Sequence, residues 1–306
     1  MTLSPLQNEI IGLLRRKNAI LLVHYYQRSE VQEIADFLGD SLALCLEASK
    51  THAEVIVFAG VHFMAESAAI LCPDKTVLIP RPDAGCPLAD TITPEALKEA
   101  KAGHPAATVV TYINSTAEIK ALSDICCTSA NALHVVESIP MEKEILMVPD
   151  GNLARYTARF TNHRVIPWTG SCPFHQALTP DEVRARKNAY PDALFIAHPE
   201  CRPEVLDLAD FVGSTAAMLR YVQQSDCPAF IIGTEVGILV RMQKDNPGKV
   251  LVPAADHLVC ETMKYTTLED IHAALLNMKP VVVIAEEKRL AALASLKRML
   301  SLSESK

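Results

Sequence analysis

The chain has 306 residues, a formal net charge of −7 and a composition that is 49% hydrophobic and 21% charged. This length and composition are typical of a folded protein with roughly one to three domains, not of a disordered chain. No basic run is longer than Arg15-Arg16-Lys17, which together with the negative charge argues against a nucleic-acid-binding surface.

No apolar stretch reaches the roughly 18 residues that a membrane-spanning helix needs. Residues 1–17 also lack the apolar segment of a signal peptide. We therefore expect a cytoplasmic protein that binds neither membrane nor nucleic acid. In that compartment the nine cysteines are expected to be free thiols or metal ligands rather than disulfides.

Taken in chain order, the first elements are a helix and a buried strand. Apolar residues at helical spacing predict a helix within residues 3–14, and the apolar run 19–23 predicts a strand that ends at His24. Apolar residues between 31 and 38 again have helical spacing and predict a second helix. A third helix is predicted to begin at Ser41, whose hydroxyl would cap it.

This block occurs three times in the chain. Corresponding residues are spaced 88 and then 86 residues apart, and they form three columns: His24, Tyr112 and His198; Asp36, Asp124 and Asp210; Ser41, Ser129 and Thr215. Strand-like runs at 55–60, 145–151 and 229–233 follow, each leading through a helix and a further strand to a cysteine. Agreement of several columns indicates internal triplication.

Each unit is predicted to read strand–helix–helix–strand–helix–strand, so the fold class is α/β with parallel sheets covered by helices. We expect three homologous α/β/α units, 18–105, 106–191 and 192–279, around a pseudo-threefold axis. The segments 1–17 and 280–306 would pack on them as terminal helices. Parallel sheets bind ligands beyond the carboxyl ends of their strands, so the repeated polar columns should meet in one central cavity.

One cysteine in each unit follows a predicted strand at the same place: Cys86, Cys172 and Cys260. Thiolates suit zinc or an iron–sulfur cluster, and three of them on a four-iron cluster would leave one iron open as a Lewis acid. Cys201 has no counterpart in the other units, so we expect it to be a neighbour of the site and not a ligand. The remaining five cysteines are expected to be buried structural thiols.

The polar columns predict a substrate site. Hydroxyls at helix N-termini, as predicted for Ser41, Ser129 and Thr215, suit a phosphate or a carboxylate. Further polar residues follow the apolar strand runs, and these are His24, Tyr26, Tyr112, Asn114, His198 and Glu200. Glu200 and the histidines can move protons near neutral pH. The three aspartates are expected to lie on helices and to be structural.

Several motifs resemble the quinolinate synthase family, the A proteins of NAD biosynthesis, from about Leu13 to Leu302. The matching segments are His24-Tyr25-Tyr26, Gly39-Asp40-Ser41, Gly60-Val61-His62-Phe63-Met64-Ala65-Glu66, Ala84-Gly85-Cys86, His198-Pro199-Glu200-Cys201 and Gly233-Thr234-Glu235 with Gly237. The resemblance implies condensation of iminoaspartate with dihydroxyacetone phosphate to quinolinate, with release of phosphate and water. It also implies functional coupling to L-aspartate oxidase.

The resemblance further implies a [4Fe-4S] cluster on Cys86, Cys172 and Cys260, whose open iron binds substrate and assists dehydration. The catalytic residues by this match are Glu200, Tyr26, His198 and Tyr112. The substrate-binding residues are His24, Ser41, Tyr112, Asn114, Ser129, His198, Pro199, Glu200 and Thr215.

The chain departs from the family at one place. Some members carry a Cys-x-x-Cys-x-x-Cys run at the third ligand, where this chain has Ala254 and His257 before Cys260. A thiol–disulfide switch built from that run is therefore absent. The residues alone leave two other hypotheses open: a zinc hydrolase on the cysteine-rich site, and a non-catalytic iron–sulfur sensor that binds a partner.

Overall fold

The computed structural model describes residues 3–304. The helices and strands follow one another along the chain as α1 Pro5–Arg16, β1 Ala19–His24, α2 Ser29–Gln32, β2 Phe37–Gly39, α3 Ser41–Lys50, β3 Val55–Ala59, α4 His62–Leu71, β4 Thr76–Leu78, α5 Pro94–Gly103, β5 Thr108–Tyr112, α6 Ala117–Ala121, β6 Ile125–Cys127, α7 Ala132–Glu137, β7 Ile145–Val148, α8 Gly151–Ala158, β8 Val165–Pro167, α9 Pro173–Ala177, α10 Pro180–Ala189, β9 Leu194–Ala197, α11 Pro203–Leu206, β10 Phe211–Val212, α12 Thr215–Gln224, β11 Ala229–Gly233, α13 Ile238–Asp245, β12 Val250–Pro253, α14 Leu268–Asn277 and α15 Glu286–Glu304.

The strands form three separate four-stranded sheets with the same topology. Their orders are β2-β1-β3-β4, β6-β5-β7-β8 and β10-β9-β11-β12, and the strands of each sheet pair in parallel. We call the three units the first, second and third repeat. The predicted fold class, three α/β units built on parallel sheets, is confirmed.

The predicted order of elements within a repeat is wrong in one respect, because each repeat has four strands. The helix predicted over residues 31–38 ends early, at Gln32, and Phe37–Gly39 is strand β2. Strands β6 and β10 are likewise short, with three residues and two residues. Alternation over so few residues cannot be distinguished from helical spacing, so the pattern favoured a helix.

The aspartate column explains how these short edge strands are held. Each aspartate precedes the edge strand instead of lying on a helix, so that part of the prediction is wrong. The carboxylate accepts a hydrogen bond from a backbone N–H of the central strand: Leu21 N to Asp36 at 2.8 Å, Val109 N to Asp124 at 2.8 Å and Phe195 N to Asp210 at 2.7 Å. The expected structural role of the aspartates is confirmed.

Each sheet separates a shared central core from a core of its own. The inner face of the first sheet contributes Leu22 and Phe58 to the central core, to which the other two sheets also contribute. The outer face is covered by a helix of the preceding repeat. Leu97 of α5 packs on the second sheet, Val183 of α10 packs on the third, and Ile271 of α14 packs on the first. The three repeats are therefore linked in a closed cycle by their last helices.

The C-terminal helix α15 joins the first and second repeats. Its Leu296 and Met299 are buried in the central core, and its Ser295 hydroxyl donates to the carbonyl of Lys120 at 2.8 Å. No helix within residues 3–304 is long and apolar enough to cross a membrane. All nine cysteines lie in this described part of the chain, and none of them forms a disulfide. Of the five expected to be buried structural thiols, Cys227 is only partly buried, so that prediction is wrong for Cys227.

Candidate active site

A cavity of about 60 Å³ lies where the central strands of the three sheets end. His24 and Tyr112 are the last residues of β1 and β5, and His198 directly follows β9. Residues of all three repeats line the cavity, and those predicted from the sequence are His24, Tyr26, Ser41, Cys86, Tyr112, Asn114, Ser129, Cys172, His198, Glu200, Thr215 and Cys260. Pro199 is buried but does not line the cavity.

The three cysteines of the repeats bring their thiols to this one cavity. Burial, opposed by hydrogen bonds, raises the pKa of Cys86 to about 12, and the neighbouring Cys260 adds to the shift. Burial also raises the pKa of Cys172, with further contributions from Glu200 and Cys86. Thiolate charge is therefore costly here unless a cation compensates for it, and soft thiolates are the ligands that iron–sulfur clusters and zinc prefer.

The two histidines of the first column are neutral and share one tautomer. In each, Nδ1 accepts a backbone N–H from the residue two positions later: Tyr26 N to His24 at 3.2 Å and Glu200 N to His198 at 3.4 Å. Burial lowers the pKa of both imidazoles to about 3. With Nδ1 accepting, the proton of the neutral ring lies on Nε2. Nε2 of His198 lies 3.1 Å from the Ser129 hydroxyl.

Glu200 lies at the centre of the polar contacts and is 3% exposed. Its Oε2 lies 2.6 Å from His175 Nδ1 and 3.7 Å from His198 Nδ1, and its Oε1 accepts from Asn114 Nδ2 at 3.4 Å. Burial raises the pKa of Glu200, but the adjacent His175 and the hydrogen bonds from His175 and Tyr112 outweigh burial and lower the pKa to about 2. The carboxylate is therefore ionised at neutral pH and can accept hydrogen bonds or bind a cation inside the site.

Two residues that the sequence argument did not select connect Tyr26 with Glu200. The Tyr26 hydroxyl lies 2.6 Å from Thr234 Oγ1, which lies 2.8 Å from His175 Nε2. His175 and Thr234 are both fully buried. Tyr26, Thr234 and His175 are therefore linked by side-chain hydrogen bonds, and His175 Nδ1 brings this chain of contacts to within 2.6 Å of the Glu200 carboxylate.

The hydroxyl column lines the cavity, but it does not cap the helices as predicted. Asp40 is the N-cap of α3 and Ser214 that of α12, so Ser41 and Thr215 are each the first helical residue. In the second repeat α7 begins after Asn131, two residues beyond Ser129. Because the neighbouring residues occupy the cap positions, the Ser41 and Thr215 hydroxyls are not engaged in capping and face the cavity.

Cys201 is buried away from the cavity lining, where its thiol donates to the Gly233 carbonyl at 3.4 Å. A second group of candidate ligands lies nearby: Cys172, His175 and Glu200 offer ligand atoms within 4.8 Å of one another. The site therefore offers two overlapping donor sets, one of three thiols and one of thiol, imidazole and carboxylate. Either set suits a metal centre.

The fold and the site together define a class: a triplicated α/β protein whose repeats converge on a centre rich in thiols and suited to a metal. The family model described as quinolinate synthetase A protein matches residues 8–301. The chain belongs to this family.

Curated relatives agree over nearly their full length. The chain is 58% identical over 297 residues to a quinolinate synthase of Geotalea uraniireducens, covering 97% of both chains. It is 55% identical over 302 residues to one of Geobacter sp. strain M21, covering 99% of both. It is 54% identical over 297 residues to one of Methanoregula boonei, covering 97% of this chain and 98% of that protein.

Proposed function

We propose that this chain is a quinolinate synthase that condenses iminoaspartate with dihydroxyacetone phosphate to quinolinate, with release of phosphate and water, in NAD biosynthesis. The observation that carries the proposal is the convergence of three thiols, two neutral histidines and one ionised glutamate on one cavity in a chain of this family. Each repeat, with the boundaries 18–105, 106–191 and 192–279, contributes one thiol and one strand-end polar residue.

The donor set fits a [4Fe-4S] cluster held by Cys86, Cys172 and Cys260. The fit rests on the chemistry of the donors: three thiols of equivalent position face one cavity, and their charge, costly when uncompensated, would be neutralised by iron. Such a cluster with three protein ligands supplies an open iron that acts as a Lewis acid.

The protein residues bind and orient the substrates. Neutral imidazoles with Nε2–H donors, His24 and His198, suit carboxylate oxygens without adding charge. The hydroxyls of Ser41, Ser129 and Thr215 and the Asn114 amide add donors for carboxylate or phosphate. Pro199 holds the backbone between His198 and Glu200 and has no contact role in this account.

Glu200 and Tyr26 carry the proton transfers, with Tyr112 and His198 beside them. Glu200 is assigned as the base by its position in the cavity wall, where its Oε2 lies 2.6 Å from His175 Nδ1 and 3.7 Å from His198 Nδ1. Its lowered pKa keeps the carboxylate ionised. Burial, followed by the charge of Glu200, raises the pKa of Tyr26 well above its usual value, so the phenol keeps its proton at neutral pH. Its place in the cavity wall is what assigns it as the proton donor. The path through Thr234 and His175 lets the two groups exchange a proton without solvent.

The test is anaerobic turnover of Glu200→Gln. The variant should lose at least about 100-fold in quinolinate formation, because general acid–base groups contribute about that much, and should keep the iron of the parent. Asp124→Asn is the matched control, because it makes the same carboxylate-to-amide change at a group that accepts from Val109 N and does not line the cavity. This variant should keep the turnover of the parent. Near-parental turnover of Glu200→Gln would remove the glutamate from the mechanism.

A zinc site is the second candidate, and the grouping of Cys172, His175 and Glu200 favours it. Thiol, imidazole and carboxylate are a common zinc set, and such a site would do hydrolysis. Zinc protein is colourless, whereas iron–sulfur protein absorbs near 400 nm (approximately). A colourless, zinc-loaded protein from iron-replete, anaerobic purification would favour the zinc hydrolase.

We further propose a cytoplasmic location and functional coupling to L-aspartate oxidase. None of the described helices could cross a membrane, which agrees with that location. Support for the coupling is chemical, because oxidation of the amine of L-aspartate yields the imine that this reaction consumes. Adding the oxidase and L-aspartate to the assay should replace iminoaspartate; failure to do so would contradict the coupling.

A further inference from the structure

Two buried carboxylates, Asp150 and Glu235, lie outside the cavity lining and belong to neither the proposed catalytic residues nor the proposed cluster ligands. Asp150 is 1% exposed and Glu235 is 0% exposed. Neither lines the cavity. A buried carboxylate is costly unless its oxygens are hydrogen-bonded, so the partners of these two groups indicate their function.

The two carboxylates occupy the same position in two repeats. The first strand of each repeat pairs with the third strand: Ile20 of β1 with Ile56 of β3, Thr108 of β5 with Ile145 of β7, and Leu194 of β9 with Phe230 of β11. Five residues after Ile56, Ile145 and Phe230 the chain has Val61, Asp150 and Glu235 respectively. The sheet register, and not only the sequence spacing, makes these three positions equivalent.

Each carboxylate bridges two backbone segments, and the two segments are equivalent in the second and third repeats. Asp150 Oδ2 accepts from the N–H of Cys172 at 3.2 Å, and its Oδ1 accepts from Leu153 N at 2.7 Å. Glu235 Oε1 accepts from the N–H of Cys260 at 3.3 Å, and its Oε2 accepts from Gly237 N at 2.7 Å. In each repeat one oxygen is anchored in the segment that follows the third strand, and the other holds the cysteine itself.

The third repeat adds a cation to this bridge. Lys264 Nζ lies 2.9 Å from Glu235 Oε1 and also donates to the carbonyl of Tyr26. The segment of Cys260 is thereby tied to the first repeat as well as to its own sheet. In the first repeat Val61 is apolar, and the corresponding loop is held instead by His62 N donating to the carbonyl of Ala84 at 2.8 Å.

We propose that Asp150 and Glu235 are positioning residues that hold Cys172 and Cys260 where the three thiols can bind one cluster. The inference rests on the cluster of the proposed function. A carboxylate has two acceptor oxygens and serves both N–H groups, whereas an amide has one and turns an N–H donor toward the other. Asn or Gln therefore keeps the size of the side chain but releases one of the two backbone segments.

The test uses Asp150→Asn and Glu235→Gln in the full chain, purified anaerobically. Iron release to a chelator should be roughly 10- to 100-fold faster than in the parent, as expected for loss of groups that orient metal ligands. Asp124→Asn is the control, since it makes the same substitution in the second repeat at a carboxylate that accepts from Val109 N and not from a cysteine. It should release iron at the parental rate.

A second measurement does not depend on the cluster. In the metal-free chain, alkylation followed by mass spectrometry gives the reactivity of each thiol. Cys172 should react faster in Asp150→Asn and Cys260 in Glu235→Gln, while Cys86 keeps its parental rate. An equal rise at Cys86 would contradict the proposal, because it would show loss of the fold and not release of one segment.

The outcomes separate this inference from the proposed function. A parent protein without iron would overturn the cluster itself. A parent with about four irons, whose two variants release them at the parental rate, would overturn only the positioning role of Asp150 and Glu235.

Discussion

The path between Tyr26 and Glu200 yields the sharpest prediction, for Thr234→Val. Valine has nearly the shape of threonine but lacks the hydroxyl that lies 2.6 Å from the Tyr26 hydroxyl and 2.8 Å from His175 Nε2. The substitution leaves two buried polar atoms without a partner, at a cost of about 1–3 kcal/mol each in the free energy of unfolding. It also interrupts the chain of polar contacts that we propose carries protons between Tyr26 and Glu200.

We expect quinolinate formation by Thr234→Val to fall by about 100-fold or more, within the range for loss of general acid–base assistance. Turnover would be measured anaerobically, with iron content and urea unfolding alongside. Thr111→Val is the matched control, because Thr111 is also fully buried and hydrogen-bonds the Ser123 hydroxyl away from the cavity. That variant should lose stability and keep its turnover. Turnover of Thr234→Val within about twofold of the parent, with iron retained, would refute the relay.

Three further predictions concern the two buried histidines, the aspartate column and the hydroxyl column. Burial lowers the pKa of His24 and His198 from 6.5 to about 3, so between these values the unfolded chain binds protons that the folded chain does not. The free energy of unfolding of the metal-free chain should therefore fall by about 1.4 kcal/mol per pH unit for each histidine as the pH drops below about 6.5. Urea unfolding of His198→Gln should show a pH dependence that is smaller by one such contribution. An unchanged dependence of the free energy of unfolding on pH would contradict the assignment. Asp36→Asn, Asp124→Asn and Asp210→Asn should each cost about 0.5–1.5 kcal/mol in the same assay, since each holds an edge strand; no loss at any of them would count against this role. Ser41→Ala and Thr215→Val should raise KM by about tenfold, the equivalent of one lost hydrogen bond, with iron unchanged; a parental KM would remove these hydroxyls from the substrate site.

The internal repeat could be predicted because similar residue types recur at equivalent positions of the three units. Strand ends and the loops after fourth strands carry polar residues or cysteines in columns such as His24, Tyr112 and His198. Parallel sheets bring such positions to one edge. The convergence of Cys86 and its two counterparts follows from this geometry.

The short edge strands could not be predicted, because two or three residues carry no period. Phe37–Gly39 is a strand only because Asp36 and the backbone of β1 hold it there. Helical spacing of the preceding apolar residues was the stronger local signal.

The prediction of the helix N-caps was wrong for a different reason. Asp40 and Ser41, like Ser214 and Thr215, are neighbouring residues that both favour helix N-termini. The residue that acts as the N-cap is set by the position at which the helix begins. Because each helix begins one residue later than the cap, the hydroxyl of Ser41 or Thr215 is left to the cavity.

His175 and Thr234 were missed because their significance is tertiary. His175 lies on a short helix of the second repeat, and Thr234 follows the third strand of the third. They meet each other and Tyr26 of the first repeat only once the three sheets are assembled. The signal that was available was Gly233-Thr234-Glu235, which carried the family resemblance without a role for either polar residue.

The central claim is that the three repeats deliver their cysteines to one cluster. Iron and acid-labile sulfide per chain, measured on anaerobically purified parent, Cys86→Ala, Cys172→Ala and Cys260→Ala, test it most directly. The account predicts about four of each in the parent and loss of both in all three variants. A parent without iron, or a cluster that survives any one of the substitutions, would contradict it.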